Sequence, residues 1–219
     1  MDKDVLTWFQ SGSESFDFNS TFPLGPELVP GLSVVVCTYK RAWSVIRFLD
    51  SLAAQDRKPE RLVSVDASPD DKTEQAIKAH ASPQSLAQSL LYVRVTGSLK
   101  GLTRQRNFGL NLINTDLVAF FDDDIVLLPG CLDEFERPHR VFGDSVVGVG
   151  AFGRSSYAEK PYDGPGALWR IRLHLRMVSD LQPGKYHRSG MSIPWGFQTS
   201  TKELIEGDYL PGGAVMWKT

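Results

Sequence analysis

Cysteine is nearly absent: the 219 residues hold two, Cys37 and Cys131, so no disulfide framework of the kind that staples small secreted domains is available. Cys37 stands in an apolar run and reads as a small buried hydrophobe, while Cys131 falls at a helix start. Neither sign of charge is in excess. Lys plus Arg is 24 and Asp plus Glu is 26, a net charge of -2, which argues against nucleic acid as a partner, since that needs a basic surface. Long hydrophobic runs are also missing. The apolar stretches are strand-sized and too short to cross a bilayer. The opening MDKDVLTWFQSGSE carries acidic residues and no apolar core of signal-peptide length. Asn19-Ser20-Thr21 fits a glycosylation acceptor, but without a secretory signal it carries no weight, and the expected setting is reducing and cytoplasmic. His80, His139, His174 and His187 are scattered without metal-cage spacing, and no Walker loop or Gly-x-Ser-x-Gly elbow occurs.

What remains is an ordinary globular composition, 42% hydrophobic and 23% charged, in a chain long enough for one α/β domain, with or without a small appendage. Residues 1–31 are rich in Ser, Gly, Pro and Phe, show no period and read as an N-terminal extension. Regularity then begins. Leu32 to Cys37 is a continuous β-branched run, as a strand covered on both faces requires. Trp43 to Ala54 has helical apolar spacing at Val45, Ile46, Leu49, Leu52 and Ala53. Strands follow over Arg61–Val65, Leu90–Val95 and Asp116–Phe121, separated by helices over Asp71–Ala81 and Leu102–Ile113. Strands alternating with helices of this length imply crossover connections and a mostly parallel sheet flanked by helices.

In such sheets the binding crevice lies beyond the carboxyl ends of the strands. Thr38, Tyr39 and Arg41 follow the first strand, Asp66 the second, and Asp122, Asp123 and Asp124 the fourth, so these residues should share one rim. On an extended chain Asp122 and Asp124 would point the same way and face one cation together. Hard carboxylate oxygens with few other ligands suit Mg²⁺ or Mn²⁺, completed by substrate phosphates. The competing reading is an acidic helix cap or surface loop before the helix starting near Pro129.

Other features carry less. Gly101 opens a helix bearing Arg104 and Arg106, forked donors suited to phosphate but common on exposed helices. Gly148 to Gly153 matches the dinucleotide fingerprint, yet no helical period follows, so it reads as a glycine-rich strand end. Beyond residue 150 the periods conflict. Arg170, Arg172, His174 and Arg176 form a basic edge, either a solvated face or a surface for an anionic acceptor or a membrane.

Taken in order, these segments resemble glycosyltransferase family 2. Leu32-Ser33-Val34-Val35-Val36-Cys37-Thr38-Tyr39-Lys40-Arg41 is similar to the family's opening strand, Val65 to Asp70 to its second-strand motif, Gly101 to Asn107 to a helix start, and Phe121-Asp122-Asp123-Asp124 to its Asp-x-Asp site. Tyr209 to Ala214 resembles a later acceptor-side loop. The resemblance implies a GT-A fold, with residues 32–150 as a nucleotide-sugar-binding α/β domain and 151–219 as the start of the acceptor side. It implies an inverting sugar transfer from a nucleotide diphosphate donor, UDP favoured, to a glycan, lipid-linked or other hydroxyl, with peripheral membrane contact open. Thr38, Tyr39, Arg41, Asp66, Arg106, Asp122 and Asp123 would bind the nucleotide, and Asp124 with Asp122 the metal. The family's general base follows the segment resembling Tyr209 to Ala214; Glu206 and Asp208 precede it, so the base is expected beyond Thr219 in a chain read as truncated. The readings set against this are a donor-binding module without turnover and a sugar nucleotidyltransferase. The latter needs a glycine-rich loop after the first strand, and Cys37 to Ser44 has none.

Overall fold

The computed structural model describes residues 4–12, 28–80, 85–151, 184–185, 206–210 and 212–219. The basic edge at 168–178 and most of the segment beyond Ala151 lie outside the described residues. The chain divides into two units, Met1–Ala151 with Gly212–Thr219, and Phe152–Pro211.

The first unit is a seven-stranded sheet with helices packed on it. In chain order its elements are β1 (Val5–Gly12), β2 (Val29–Thr38), α1 (Ala42–Ala53), β3 (Arg61–Asp66), α2 (Lys72–Ala79), β4 (Ser89–Val95), α3 (Leu102–Leu110), β5 (Thr115–Asp122), α4 (Cys131–Phe142), β6 (Gly148–Gly150) and β7 (Ala214–Lys218). The strands run in the order β1-β4-β3-β2-β5-β7-β6. The four central strands pair in parallel, as the alternation of strands and helices requires. β1 joins the β4 edge antiparallel, and β7 pairs antiparallel with both β5 and β6. The first strand thus comes from a stretch that read as an aperiodic extension, and the last from the stretch assigned to the acceptor side. Both cysteines are free. Among the described residues no helix is long and apolar enough to cross a membrane.

Burial explains the strand composition. Val34, Val35 and Val36 of β2 are almost wholly buried, as are Leu62, Val63 and Val65 of β3, because helices cover both faces. One side of the core gathers Phe48 of α1, Phe121 of β5 and Phe135 of α4, with ring centroids 5.8 and 5.6 Å apart. The other side admits α3 at close range. A Cβ placed on Gly109 would stand 2.6 Å from Val35 Cγ1 and 3.4 Å from Val65 Cγ2. That proximity seats the C-terminal part of α3 directly on β2 and β3. Gly109→Ala should therefore destabilise the domain by roughly 1–2 kcal/mol, since overpacking against a stiff valine outweighs the better helix propensity of alanine. Urea unfolding reads this, and an unchanged or raised midpoint would show that α3 has room to move.

Candidate active site

Three segments meet where the parallel strands end. The turn after β2 carries Thr38, Tyr39 and Arg41, the start of α3 carries Lys100, Gly101 and Gln105, and the end of β5 carries the three aspartates. Between them lies a cleft of about 610 Å³, floored by Cys37 and Ala67. That volume suits a nucleotide-sized ligand. Gln105, almost fully buried, ties the segments together: its Nε2 donates to Thr38 O at 3.1 Å and to Val65 O at 2.9 Å. Ala67 N donates to Thr38 O at 3.0 Å. Lys40 adopts φ 57°, a left-handed conformation that costs a non-glycine residue, and its N–H is held by Ser68 Oγ at 2.7 Å. Tyr39 consequently projects into the cleft mouth, half exposed, with Lys40 Nζ 5.2 Å and Lys100 Nζ 5.7 Å from its ring centroid.

The carboxylates do not stand as an extended chain would set them. β5 ends at Asp122 and the chain turns at once, Ile125 N donating to Asp122 O at 3.2 Å. Asp122 and Asp124 therefore go to different partners rather than to one shared point. Arg106 Nη2 donates to Asp122 Oδ1 at 2.8 Å and to Gly212 O at 2.8 Å. Arg41 Nη1 bridges Asp123 Oδ1 at 3.0 Å and Asp124 Oδ2 at 3.1 Å. Asp123 is buried and also accepts from Thr38 Oγ1 at 2.6 Å. Burial raises the Asp122 carboxyl above its ordinary value; Arg106 pulls it back down, and the neighbouring aspartates push it further up. The charges of Asp123 and then Asp124 hold Arg41 above its usual range.

Two expected contacts differ from the sequence reading. Asp66 is fully buried and does not line the cleft. Its Oδ1 accepts from Ser68 N at 2.7 Å and its Oδ2 from Tyr92 OH at 2.8 Å, so here it fixes the turn after β3 instead of presenting a carboxylate to a ligand. Arg106 likewise braces Asp122 against the chain's return at Gly212, beside the cleft rather than on its wall. In the second unit, Lys185 Nζ lies 3.1 Å from Asp208 Oδ1 and 3.5 Å from Glu206 Oε1.

Comparison with known proteins adds the decisive observation. The family model described as Glycosyl transferase family 2 matches residues 33–192, well over half of the chain. The chain belongs to glycosyl transferase family 2. Its fold is of the GT-A type, and among solved structures it is similar to the mannosyltransferase PcManGT from Pyrobaculum calidifontis, in complex with GDP-Man and Mn²⁺. That likeness has a TM-score of 0.54 and 18% identity over 89% of this chain and 47% of the other. Weaker likenesses are to glucosyl-3-phosphoglycerate synthase from Mycobacterium tuberculosis (TM-score 0.48, 18% identity, 86% of this chain and 57% of that one). S. aureus TarS follows (0.44, 25%, 57% and 37%). The chain thus spans between 37% and 57% of the length of these structures. No curated protein sequence matches it.

Within this family 2 domain the sequence reading missed three residues with work to do. Lys100 and Gln105 lay inside the Gly101 segment or beside it, and no period distinguishes a buried helical glutamine from a solvated one. Tyr92 sat in a strand and read as core. Burial, then the Asp66 charge, push its hydroxyl far above the usual tyrosine range, so it stays protonated and donates. Tyr92→Phe should cost about 1–3 kcal/mol, the penalty of leaving a buried carboxylate oxygen without its donor. Thermal unfolding measures it, and an unchanged transition would mean that Asp66 finds another partner.

Proposed function

We propose that the cleft binds a nucleotide diphosphate sugar and that this chain carries the donor site of an enzyme that moves the sugar to an acceptor hydroxyl with Mg²⁺ or Mn²⁺. The observation that carries this reading is the convergence, in a family 2 domain, of an exposed aromatic ring, the cations Arg41 and Lys100, and a carboxylate pair around one cleft of nucleotide size.

The metal fits by donor chemistry. Among the described residues no group of three or more His, Cys, Asp or Glu side chains is arranged to hold an ion alone. A hard cation completed by diphosphate oxygens and water needs only one or two carboxylates. Asp124 and Asp122 supply them, and Asp124 is the more available, its side chain 59% exposed against 39%. Bound there, the ion supplies Lewis-acid stabilisation of the departing diphosphate.

The chain's own residues supply the rest. Tyr39 offers a flat face to the base, and Thr38 holds the buried Asp123, which in turn holds Arg41 at the rim. Arg41 and Lys100 donate to phosphate oxygens, the guanidinium in a fork and the ammonium as a point charge. Asp66 shapes the base end by fixing the turn at Ala67, and Arg106 keeps Asp122 aimed at the cleft. Uridine is the favoured base on the family resemblance, the acceptor is a glycan, lipid-linked or other alcohol, and the setting is cytoplasmic.

Melting curves with UDP, GDP or ADP, with and without Mn²⁺, test the reading, because a ligand bound only by the folded state raises the transition. One nucleotide with Mn²⁺ should raise it more than either alone, and Asp124→Asn should keep the fold and lose the Mn²⁺-dependent increment. The same increment in the variant would remove Asp124 from the metal site, and no shift with any nucleotide would end the donor reading. Sugar transfer to an alcohol, measured beside binding, separates an enzyme from a module that holds the donor without turnover.

A further inference from the structure

The approach to α3 is held from an unexpected direction. Before α3 the chain makes a tight turn at Gly97–Leu99, closed by Leu99 N donating to Thr96 O at 3.1 Å and Lys100 N donating to Gly97 O at 3.3 Å. Asp4, immediately before β1, grips this turn. Thr96 N donates to Asp4 O at 2.7 Å, Ser98 N donates to Asp4 Oδ2 at 2.9 Å, and Ser98 Oγ donates to the same oxygen. Asp4 is buried, 9% exposed. Gly97 takes φ 53°, and a Cβ placed there would collide with the Asp4 carboxylate, so the glycine and the aspartate fit each other. The turn ends at Lys100, and Gly101 caps α3; both line the cleft.

Resting on the donor-site reading above, we propose that Asp4 is a positioning residue for the nucleotide site: the N-terminal strand, which reads in sequence as an extension, sets Lys100 and Gly101 through the 97–99 turn. Asp4 has leverage here. A three-residue turn has no hydrophobic core of its own, and Gly97, Ser98, Leu99 and Lys100 are not buried. Its conformation is fixed by few bonds, and Asp4 accepts two of them on one carboxylate oxygen. Without them Lys100 would sample many positions, and the entropy of ordering it would fall on nucleotide binding.

Binding of UDP and of GDP, each with Mn²⁺, to the full 219-residue chain tests this by calorimetric titration. Asp4→Ala should weaken the nucleotide that wild type binds by about tenfold, the scale of one or two lost net hydrogen bonds. Asp4→Asn, which keeps an acceptor oxygen, should lose less. Thr7→Ala is the control on the same strand: Thr7 Oγ1 donates to Glu74 Oε2 at 2.9 Å and touches no part of the turn, so its affinity should match wild type. The deciding readout is a double-mutant cycle with Lys100→Ala, in which Asp4→Ala should add less than twofold if it acts through Lys100. Amide hydrogen exchange at 96–101 should also quicken in Asp4→Ala without ligand. Unchanged exchange there, unchanged affinity in Asp4→Ala, equal losses in both backgrounds, or an equal loss in Thr7→Ala would each overturn the assignment. Absence of saturable binding by wild type would instead end the donor reading on which it rests.

Discussion

Three carboxylates in succession at the end of a buried strand are the constraint around which this domain is arranged. Like charges so close resist burial together, and each must find a donor or cation within reach. Asp123, the most buried, takes Thr38 and Arg41; Asp124 shares Arg41; Asp122 takes Arg106. These partners come from the end of β2, the loop before α1, and α3. Neutralising the aspartates therefore brings together the segments that line the cleft. Gln105 then locks the same junction with two bonds to backbone carbonyls, one at the end of β2 and one near the end of β3.

The returning chain completes this arrangement. β7 runs antiparallel to β5, and just before it Gly213 O accepts from Asp122 N at 2.9 Å while Gly212 O accepts from Arg106. A Cβ at Gly213 would stand 3.2 Å from Asp122 Oδ2, so the backbone passes close to the carboxylate. A segment more than ninety residues away in the chain is thus in direct contact with both members of the Arg106–Asp122 pair.

Much of this was legible in the sequence, and the exceptions share a cause. The core strands announced themselves through β-branched runs such as Val34-Val35-Val36, and the rim followed from the rule that parallel strands end together. Four of the rim segments carried a family resemblance because their residues are local to a strand end. β1 and β7 were invisible, because an antiparallel edge pairing depends on a partner distant in sequence and leaves only a short, irregular local signal. The orientation of Asp66 was also beyond reach: a carboxylate at a strand end can turn outward or inward, and Tyr92, 26 residues later on β4, holds it inward together with Ser68 N. The divergence of Asp122 and Asp124 has the same origin, since a chain that turns after Asp122 no longer obeys the alternation of a strand.

The local charge balance bears on how such a cleft takes an anion. Asp122, Asp123 and Asp124 are matched in number by Arg41, Arg106 and Lys100, and the two arginines are already committed to carboxylates. A diphosphate entering this setting adds negative charge to a site whose cations are largely spent. Turning Arg41 toward the phosphate would strip Asp124 of its counter-ion and leave Asp123 with Thr38 alone. If the cleft is the donor site proposed above, a divalent cation would resolve both demands at once. It would take over the neutralisation of Asp124, would bring positive charge that the arginines cannot, and would leave Arg41 free to keep Asp123 or to engage the ligand. Metal and anion would then bind as a pair, because the protein's own cations cannot serve the ligand and the fold together.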